Sequence, residues 1–171
     1  MKLPIGTKTG AAVVSPCGRY RYSLTRGWGA DLANQPRLLY VMLNPSTADA
    51  GQDDPTIRKC IGFAQRLGFL ALEVVNLYAF RATDPKALKA AGYPVGPDND
   101  LHIRSALARC HRTVVCAWGV NARGLARPAE VLQLIRSVGY EPHALDLCAD
   151  GTPSHPLMLP YSCADRQLLR L

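Results

Sequence analysis

The sequence lacks the short motifs that identify most nucleotide-dependent and metal-dependent enzymes. It has no GxxxxGK[ST] phosphate loop, no GxGxxG dinucleotide fingerprint, no HExxH zinc motif and no GxSxG nucleophile turn. Nucleotide hydrolysis, dinucleotide-dependent redox chemistry and zinc proteolysis therefore lose their usual sequence support. What remains is chemistry carried by Asn, Asp and His side chains, for which we expect neither a metal nor a cofactor.

Cysteine pairs and long apolar runs are also missing. The six cysteines include no CxxC pair, and Cys60, Cys110 and Cys116 fall in apolar segments where a thiol behaves as a small hydrophobic side chain. No apolar run approaches the roughly 20 residues that span a bilayer, and residues 1–10 lack the apolar core of a secretory signal. We expect a reduced, soluble, cytoplasmic protein with no membrane partner and no zinc site.

Aromatic residues make up only 7% of the chain and charged residues 19%, but the charge is unbalanced, with a net value of +7. Most of the excess is arginine, which makes bidentate contacts with phosphate. DNA or a nucleotide is the partner that this charge favours, although many basic proteins bind no polyanion. With 171 residues, 48% of them hydrophobic, the chain suits one compact domain, which we expect to be a monomer.

Segments of strand and helix type alternate along the chain. Strands are predicted at 11–15, 19–25, 37–43, 71–77, 113–118 and 143–147, and helices at 55–67, 85–92, 98–110 and 128–138. This order predicts a single three-layer α/β/α domain over residues 1–171, with a mostly parallel central sheet. Within it we expect a flexible N-terminus at 1–10, a hairpin at the sheet edge at 11–25 and the α/β core at 37–159. Such folds place their sites at the carboxyl ends of strands.

The loop after the third predicted strand carries the most informative residues. Asn44 is expected to hold a water molecule or a substrate amide, and Asp49 is the candidate general base. Asp53 is a second candidate, whereas Asp54 already has a sufficient structural role as the N-cap before Pro55. A purely structural turn at Asn44 is the alternative. The residues expected to meet a phosphate or sugar in this loop are Pro45, Ser46 and Thr47.

Further loops carry a candidate catalytic residue and more substrate-binding candidates. His155 lies beside Ser154 between two prolines, which fix the backbone, and we expect it to be catalytic and Ser154 to contact the substrate. Gly119 follows a predicted strand and would let a substrate approach closely, unless it only forms a tight turn. The loop after the fourth strand offers a polar strand end, two aromatic side chains for stacking on a base and an arginine for ligand anions. These residues are Asn76, Tyr78, Phe80 and Arg81, for which core or surface roles are the alternatives.

Six short blocks of sequence carry a resemblance to a known family. They are LNPSTAD at 43–49, DPTIR at 54–58, NLYAFRAT at 76–83, PDND at 97–100, AWG at 117–119 and HPL at 155–157. Together they resemble domain-of-unknown-function family 1643, a family of small bacterial and phage proteins, from about Tyr20 to Leu159. That family name implies no reaction.

Two stretches are also similar, more distantly, to motifs of the uracil-DNA glycosylase superfamily. The stretch 43–46 is similar to a motif at a strand end that positions the hydrolytic water, and 154–157 is similar to a late loop that contacts the extruded nucleotide. Asn76 falls where these enzymes often have an Asn before an arginine-containing loop. The glycines that flank the first motif in that superfamily are Met42 and Ser46 here, and these larger side chains narrow or repurpose the pocket.

The second resemblance implies a uracil-DNA-glycosylase-like fold and hydrolysis of the N-glycosidic bond of a modified or mismatched base in DNA. Such cleavage passes through an oxocarbenium-like state, which needs oriented water or an anion on one face of the sugar and a donor to the departing base. Asn44 and Asp49 would handle the water, and His155 the base. Two other functions stay open: a non-catalytic nucleic-acid-binding module of the same fold, and an enzyme acting on a free nucleoside or a small sugar derivative.

Overall fold

A computed structural model of the protein describes residues 9–29 and 34–171. Its strands form one sheet, and they are β1 (Thr9–Val14), β2 (Arg21–Gly27), β3 (Arg37–Met42), β4 (Ala71–Asn76), β5 (Val114–Cys116), β6 (Pro142–Ala144) and β7 (Leu169–Arg170). Their order across the sheet is β1-β2-β4-β3-β5-β6-β7. The central strands β4, β3, β5 and β6 run parallel, whereas β1, β2 and β7 pair antiparallel at the edges. The sheet is therefore mixed, and the predicted parallel arrangement holds for its centre.

The helices begin and end close to the positions that the sequence predicts. They are α1 (Pro55–Arg66), α2 (Pro85–Ala90), α3 (Asn99–Arg109) and α4 (Arg127–Ser137). α1 and α2 start in the same way, because an aspartate caps each first turn and a proline follows it. The Asp54 carboxylate accepts the Ile57 N–H, and the Asp84 carboxylate accepts the Lys86 N–H, both at 2.8 Å. Across the described ranges, no helix has the length and apolar character needed to cross a bilayer.

Helices cover both faces of the sheet. On one face, α3 and α4 pack against alternate residues of β3 and β4, in a cluster that includes Leu39, Val41, Val75, Ile103, Leu107, Val131 and Ile135. On the other face, α1 packs against the intervening residues, in a cluster that includes Leu38, Tyr40, Met42, Val74, Ile57, Cys60 and Phe63. This division follows from the strand geometry, in which successive side chains point to opposite faces. The α/β class is confirmed, with three layers.

At both edges of the sheet, strands are formed by residues outside the predicted α/β core at 37–159. The N-terminal hairpin lies at one edge as predicted, with β1 outermost. Most of the segment 1–10, which was expected to be flexible, lies outside the described residues, but Thr9 and Gly10 belong to β1. At the other edge β7 pairs with β6, and the sequence did not predict β7 because two residues carry no periodic signal.

Candidate functional site

A cavity of about 170 Å³ lies at the carboxyl ends of the central strands. β3 and β4 pair in parallel register from Arg37 beside Ala71 to Met42 beside Asn76, so the loops that follow them leave the sheet side by side. The loop after β5 and the segment at 153–156 complete the wall, because the Gly119 N–H donates to the Pro153 carbonyl at 3.0 Å. The polar residues that line the cavity include Arg21, Asn44, Ser46, Asp54, Asn76 and His155.

Some of the residues that the sequence predicted to form a site lie together in this cavity. Asn44, Ser46, Asn76 and His155 all line it, although they come from three loops that are far apart along the chain. Trp118 lies in the wall directly before Gly119. Apolar side chains of the sheet and of α1 form another part of the lining. The volume of the cavity is smaller than the roughly 300–1,000 Å³ of many ligand pockets. The cavity therefore encloses a small group, and a larger ligand would extend beyond its mouth.

Asp54 supplies the carboxylate of the cavity. Its Oδ1 accepts the Ile57 N–H at 2.8 Å, which caps α1 and holds the carboxylate in place. No donor within residues 9–29 and 34–171 forms a hydrogen bond with Oδ2. One oxygen of Asp54 thus caps the helix, and the other is available to accept a hydrogen bond from a group in the cavity.

His155 shares the cavity with Asp54 and is held in one orientation. Its Nδ1 accepts the Leu157 N–H at 3.2 Å, so the proton of the neutral imidazole lies on Nε2. Burial lowers the pKa of His155, and the charge of Asp54 opposes that lowering in part. At neutral pH His155 is therefore an uncharged hydrogen-bond donor through Nε2.

Gly119 sets the position of His155 by close packing. Its φ is +76° and its ψ is −176°, a conformation that is essentially restricted to glycine. A Cβ atom built on Gly119 would lie 3.0 Å from the His155 Cβ. The absence of a side chain at position 119 therefore makes room for the imidazole.

The pKa shift of His155 predicts a pH-dependent stability. Because the folded state lowers the pKa below the ordinary value of about 6.5, the unfolded chain takes up the proton first as the pH falls. The contribution is fully present above about pH 6.5 and is lost as the pH falls through the folded pKa. We expect the free energy of unfolding in urea to decline as the pH falls below about 6.5, and to decline less in His155→Gln. Equal declines in the two proteins would contradict this assignment.

Arg21 and Asn76 bring buried nitrogen donors to the same cavity. Arg21 is 3% exposed and Asn76 is 1% exposed. The Nη1 of Arg21 donates to the Ala48 carbonyl at 2.6 Å, but its buried Nε has no partner in the part of the chain that the structure describes. The Nδ2 of Asn76 is likewise buried there without a partner. Burial lowers the pKa of Arg21 to about 10, which leaves the guanidinium charged at neutral pH.

Asn44 joins two of the loops that form the cavity. Its Nδ2 donates to the carbonyls of Pro45 at 3.0 Å and Ala82 at 2.9 Å. The Ala82 N–H in turn donates to the Pro45 carbonyl at 2.9 Å. These contacts fix the amide nitrogen inside the protein, and no described residue donates to Oδ1. Asn44 is therefore placed to accept a hydrogen bond from water or ligand while it holds the loops together.

The structure places Asp49 and Asp53 outside the cavity lining. The Oδ1 of Asp49 accepts the N–H groups of Gly51 and Gln52, each at 2.8 Å, in an exposed turn. Asp53 forms an ion pair with the buried Arg26, with Nε and Oδ1 2.7 Å apart. Both carboxylates shape the loop before α1, and Asp54 is the acid that the fold turns toward the cavity.

Other residues that the sequence predicted to bind the substrate are not part of the cavity lining. Tyr78 is buried in the core beside Tyr93, and Phe80 packs edge-on to Tyr20. Arg81 donates to the Gly18 carbonyl of the hairpin turn. Pro45 and Ser154 are buried and Thr47 is exposed. These positions indicate that Tyr78 and Phe80 support the loop after β4 from the inside.

Sequence reasoning assigned no site role to Arg21 and gave Asp54 only its helix cap. For Asp54, the DP pair before a helix fully explained an aspartate, so nothing in the sequence indicated a second task. For Arg21, the contact with Ala48 spans 27 residues and depends on the pairing of β2 with β4. An arginine in an edge hairpin is usually exposed, and only the tertiary structure shows that this one is buried.

The fold and the site define a class of protein: an α/β domain with a small polar cavity at the carboxyl ends of its central strands. The family described as "Protein of unknown function (DUF1643)" matches residues 21–157, which is most of the chain, and the chain belongs to this family. The family match also confirms the first resemblance that the sequence blocks indicated. Neither the curated proteins nor the solved structures contain a match to the chain.

Proposed function

We propose that the cavity binds a nucleobase with its sugar and hydrolyses the N-glycosidic bond between them, with a modified or mismatched base in DNA as the substrate. The observation that carries this proposal is the presence of Asp54 and His155 in one cavity, a carboxylate with a free oxygen and a neutral donor. A carboxylate and a donor acting on two sides of a glycosidic bond are what this reaction requires.

The proposed reaction assigns one task to each of these side chains. Asp54 accepts a proton from a water molecule as the water oxygen forms a bond to C1′ of the sugar. The bond from C1′ to the base nitrogen breaks, and the base takes the bonding electron pair. His155 donates a hydrogen bond from Nε2 to the departing base, which finally gains a proton from solvent. The Oδ1 of Asn44 helps to orient the water.

The distant resemblance to the uracil-DNA glycosylase superfamily supports this proposal. Its two motifs fall at Asn44-Pro45 and at His155-Pro156, and both stretches contribute to the same cavity. The water-activating role that the sequence suggested for Asp49 passes to Asp54 in this proposal, because Asp54 lines the cavity and Asp49 does not. A uracil-DNA-glycosylase-like fold is part of this proposal.

Exposed groups near the cavity suit a nucleic acid strand. Leu157 and Met158 are 46% and 80% exposed and follow His155 closely in the chain. DNA-binding proteins insert such apolar side chains between base steps. Arg58 and Lys86 are exposed on the first turns of α1 and α2, next in sequence to the cavity residues Ile57 and Pro85. Positive charge at those positions would contact phosphates and offset part of the cost of extruding a base.

The proposal is tested with oligonucleotides that carry uracil, mismatched bases or modified bases, in single and double strands. We expect abasic sites, detected as strand breaks after alkaline treatment, for at least one substrate. His155→Asn should lower the rate about 10²- to 10³-fold, because it removes a donor to the leaving base. His111→Asn, at an exposed position outside the cavity lining, serves as the control and should keep full activity.

Two results would contradict DNA base excision, and a third would contradict its assignment to this cavity. Absence of cleavage across the panel, together with salt-dependent binding, would favour the non-catalytic DNA-binding function instead. Cleavage of free nucleosides without measurable affinity for DNA would favour the small-molecule enzyme. Cleavage that His155→Asn leaves unchanged would place the reaction elsewhere in the protein.

A further inference from the structure

The buried arginines of the described residues differ in how their charge is balanced. Arg26 forms an ion pair with Asp53, and Arg127 contacts the carboxylates of Asp100 and Glu130. Arg21 is as deeply buried as these two, yet within residues 9–29 and 34–171 no carboxylate lies within ion-pair distance of its guanidinium. Among the described residues, the one hydrogen bond of the Arg21 side chain goes to the Ala48 carbonyl. Among the buried arginines of the described residues, Arg21 is therefore the one that has no ion-pair partner.

The unsatisfied groups around Arg21 are donors. The Nε of Arg21 and the Nδ2 of Asn76 are both buried without a partner, and both residues line the cavity. β2 and β4, which carry these residues, are neighbouring strands. The side chains of Thr83 and Asn121 in the same lining are exposed, so Arg21 and Asn76 belong to the inner part of the cavity and Thr83 and Asn121 to its mouth.

Burial of an unpaired cation and of unsatisfied donors is unfavourable, and a bound group that supplies negatively charged acceptor oxygens removes both costs. Charge-assisted hydrogen bonds from a guanidinium to an oxyanion are among the stronger contacts that proteins make. We propose that Arg21 and Asn76 form an oxyanion-binding subsite at the inner end of the cavity, which takes a phosphate group of the ligand. The extension to a nucleotide phosphate rests on the function proposed above.

The nearby carboxylate of Asp54 adds a negative charge beside this subsite but does not pair directly with Arg21. Its charge favours the protonated Arg21, in opposition to the desolvation and to the like charges of Arg81 and Arg26. Asp54 uses Oδ1 in the cap of α1 and forms no ion pair with Arg21 among the described residues. A ligand with a phosphate at Arg21 and a reacting sugar carbon beside Asp54 would meet the needs of both groups.

The test measures binding by calorimetry, with inorganic phosphate, a deoxynucleoside monophosphate and the matching deoxynucleoside as separate probes. Wild type should bind phosphate and the monophosphate in a saturable way, and the monophosphate more tightly than the deoxynucleoside. Arg21→Met should weaken both phosphate-bearing probes by about 10-fold or more. Arg19→Met, which changes an exposed arginine outside the cavity lining, should bind as wild type does.

The remaining outcomes separate this inference from the proposed reaction. If Arg21→Met does not fold, Asn76→Leu removes the other donor and should weaken the same two probes. Arg21-dependent phosphate binding without any base release would support the subsite and remove the glycosidase function. Failure of wild type to bind either phosphate-bearing probe, or equal binding by wild type and both variants, would overturn the subsite even if base release is observed. Tighter binding of phosphate alone than of the monophosphate would assign the subsite to the free anion.

Discussion

Replacing Asp54 with asparagine is expected to lower kcat/KM for base release by about 10²- to 10⁴-fold. Asparagine has nearly the same shape and caps helices as well as aspartate does, so its side-chain oxygen can still accept the Ile57 N–H. It cannot accept a proton from water, however. Loss of the charge at the helix N-terminus should lower the free energy of unfolding by less than about 1 kcal/mol, and any further loss reflects the charge of Asp54 that favours the buried, protonated Arg21.

The matched control for this substitution is Asp84→Asn. Asp84 caps α2 through a hydrogen bond of the same length, and it does not line the cavity. Both variants should show a small change in stability, measured by urea unfolding, and Asp54→Asn alone should lose activity. If Asp54→Asn keeps wild-type kcat/KM, Asp54 is only a helix cap.

Replacing Gly119 with alanine is expected to reduce both stability and activity. The backbone conformation at this position is unfavourable for any residue with a Cβ, at a cost of about 1–3 kcal/mol. In addition, the new methyl group would press on the Cβ of His155. Relief of this contact needs a shift of a few tenths of an ångström, so we expect a fall in rate smaller than the roughly 10²-fold that a 1 Å misplacement of a catalytic group can cause. Steady-state kinetics and urea unfolding on the same preparation measure the two effects.

Gly124→Ala separates backbone strain from the contact with His155. Gly124 also has a positive φ, +73°, but an added Cβ would meet nothing within 4 Å. We expect Gly124→Ala to lose stability and to keep its activity, and Gly119→Ala to lose both. A Gly119→Ala variant with full activity would show that the position of His155 does not depend on this packing.

The sequence predicted the parts of this fold that local signals encode. The DP pairs at 54–55 and 84–85 marked the starts of α1 and α2, and the apolar runs at 37–43 and 71–77 marked the two central strands. Because the central strands are parallel, their carboxyl ends meet at one edge of the sheet. That topology is why Asn44 and Asn76, which both follow apolar strand residues, line the same cavity.

The sequence could not separate neighbouring acids or identify a buried arginine. Asp49, Asp53 and Asp54 lie within six residues, and their roles depend on contacts with distant groups, such as the Arg26 guanidinium in β2. Arg21 is buried because the hairpin packs beside the loop that carries Ala48, and hydrophobic periodicity contains no signal for that contact. Long-range electrostatic pairing is thus the part of this site that only the tertiary structure provides.

The most direct test of the proposed chemistry is single-turnover base release by wild type, Asp54→Asn and Asp84→Asn, followed by mass spectrometry of the sugar product. Because the C1′ hydroxyl group of the product exchanges its oxygen with water, the sugar is trapped by borohydride reduction within a single turnover, and the rate of product formation is measured together with the folded fraction. If Asp54 activates a water molecule in the cavity, Asp54→Asn forms product about 10²-fold or more slowly than wild type without loss of fold, whereas Asp84→Asn keeps the wild-type rate. Product formed equally fast by wild type and Asp54→Asn would contradict hydrolysis at this site.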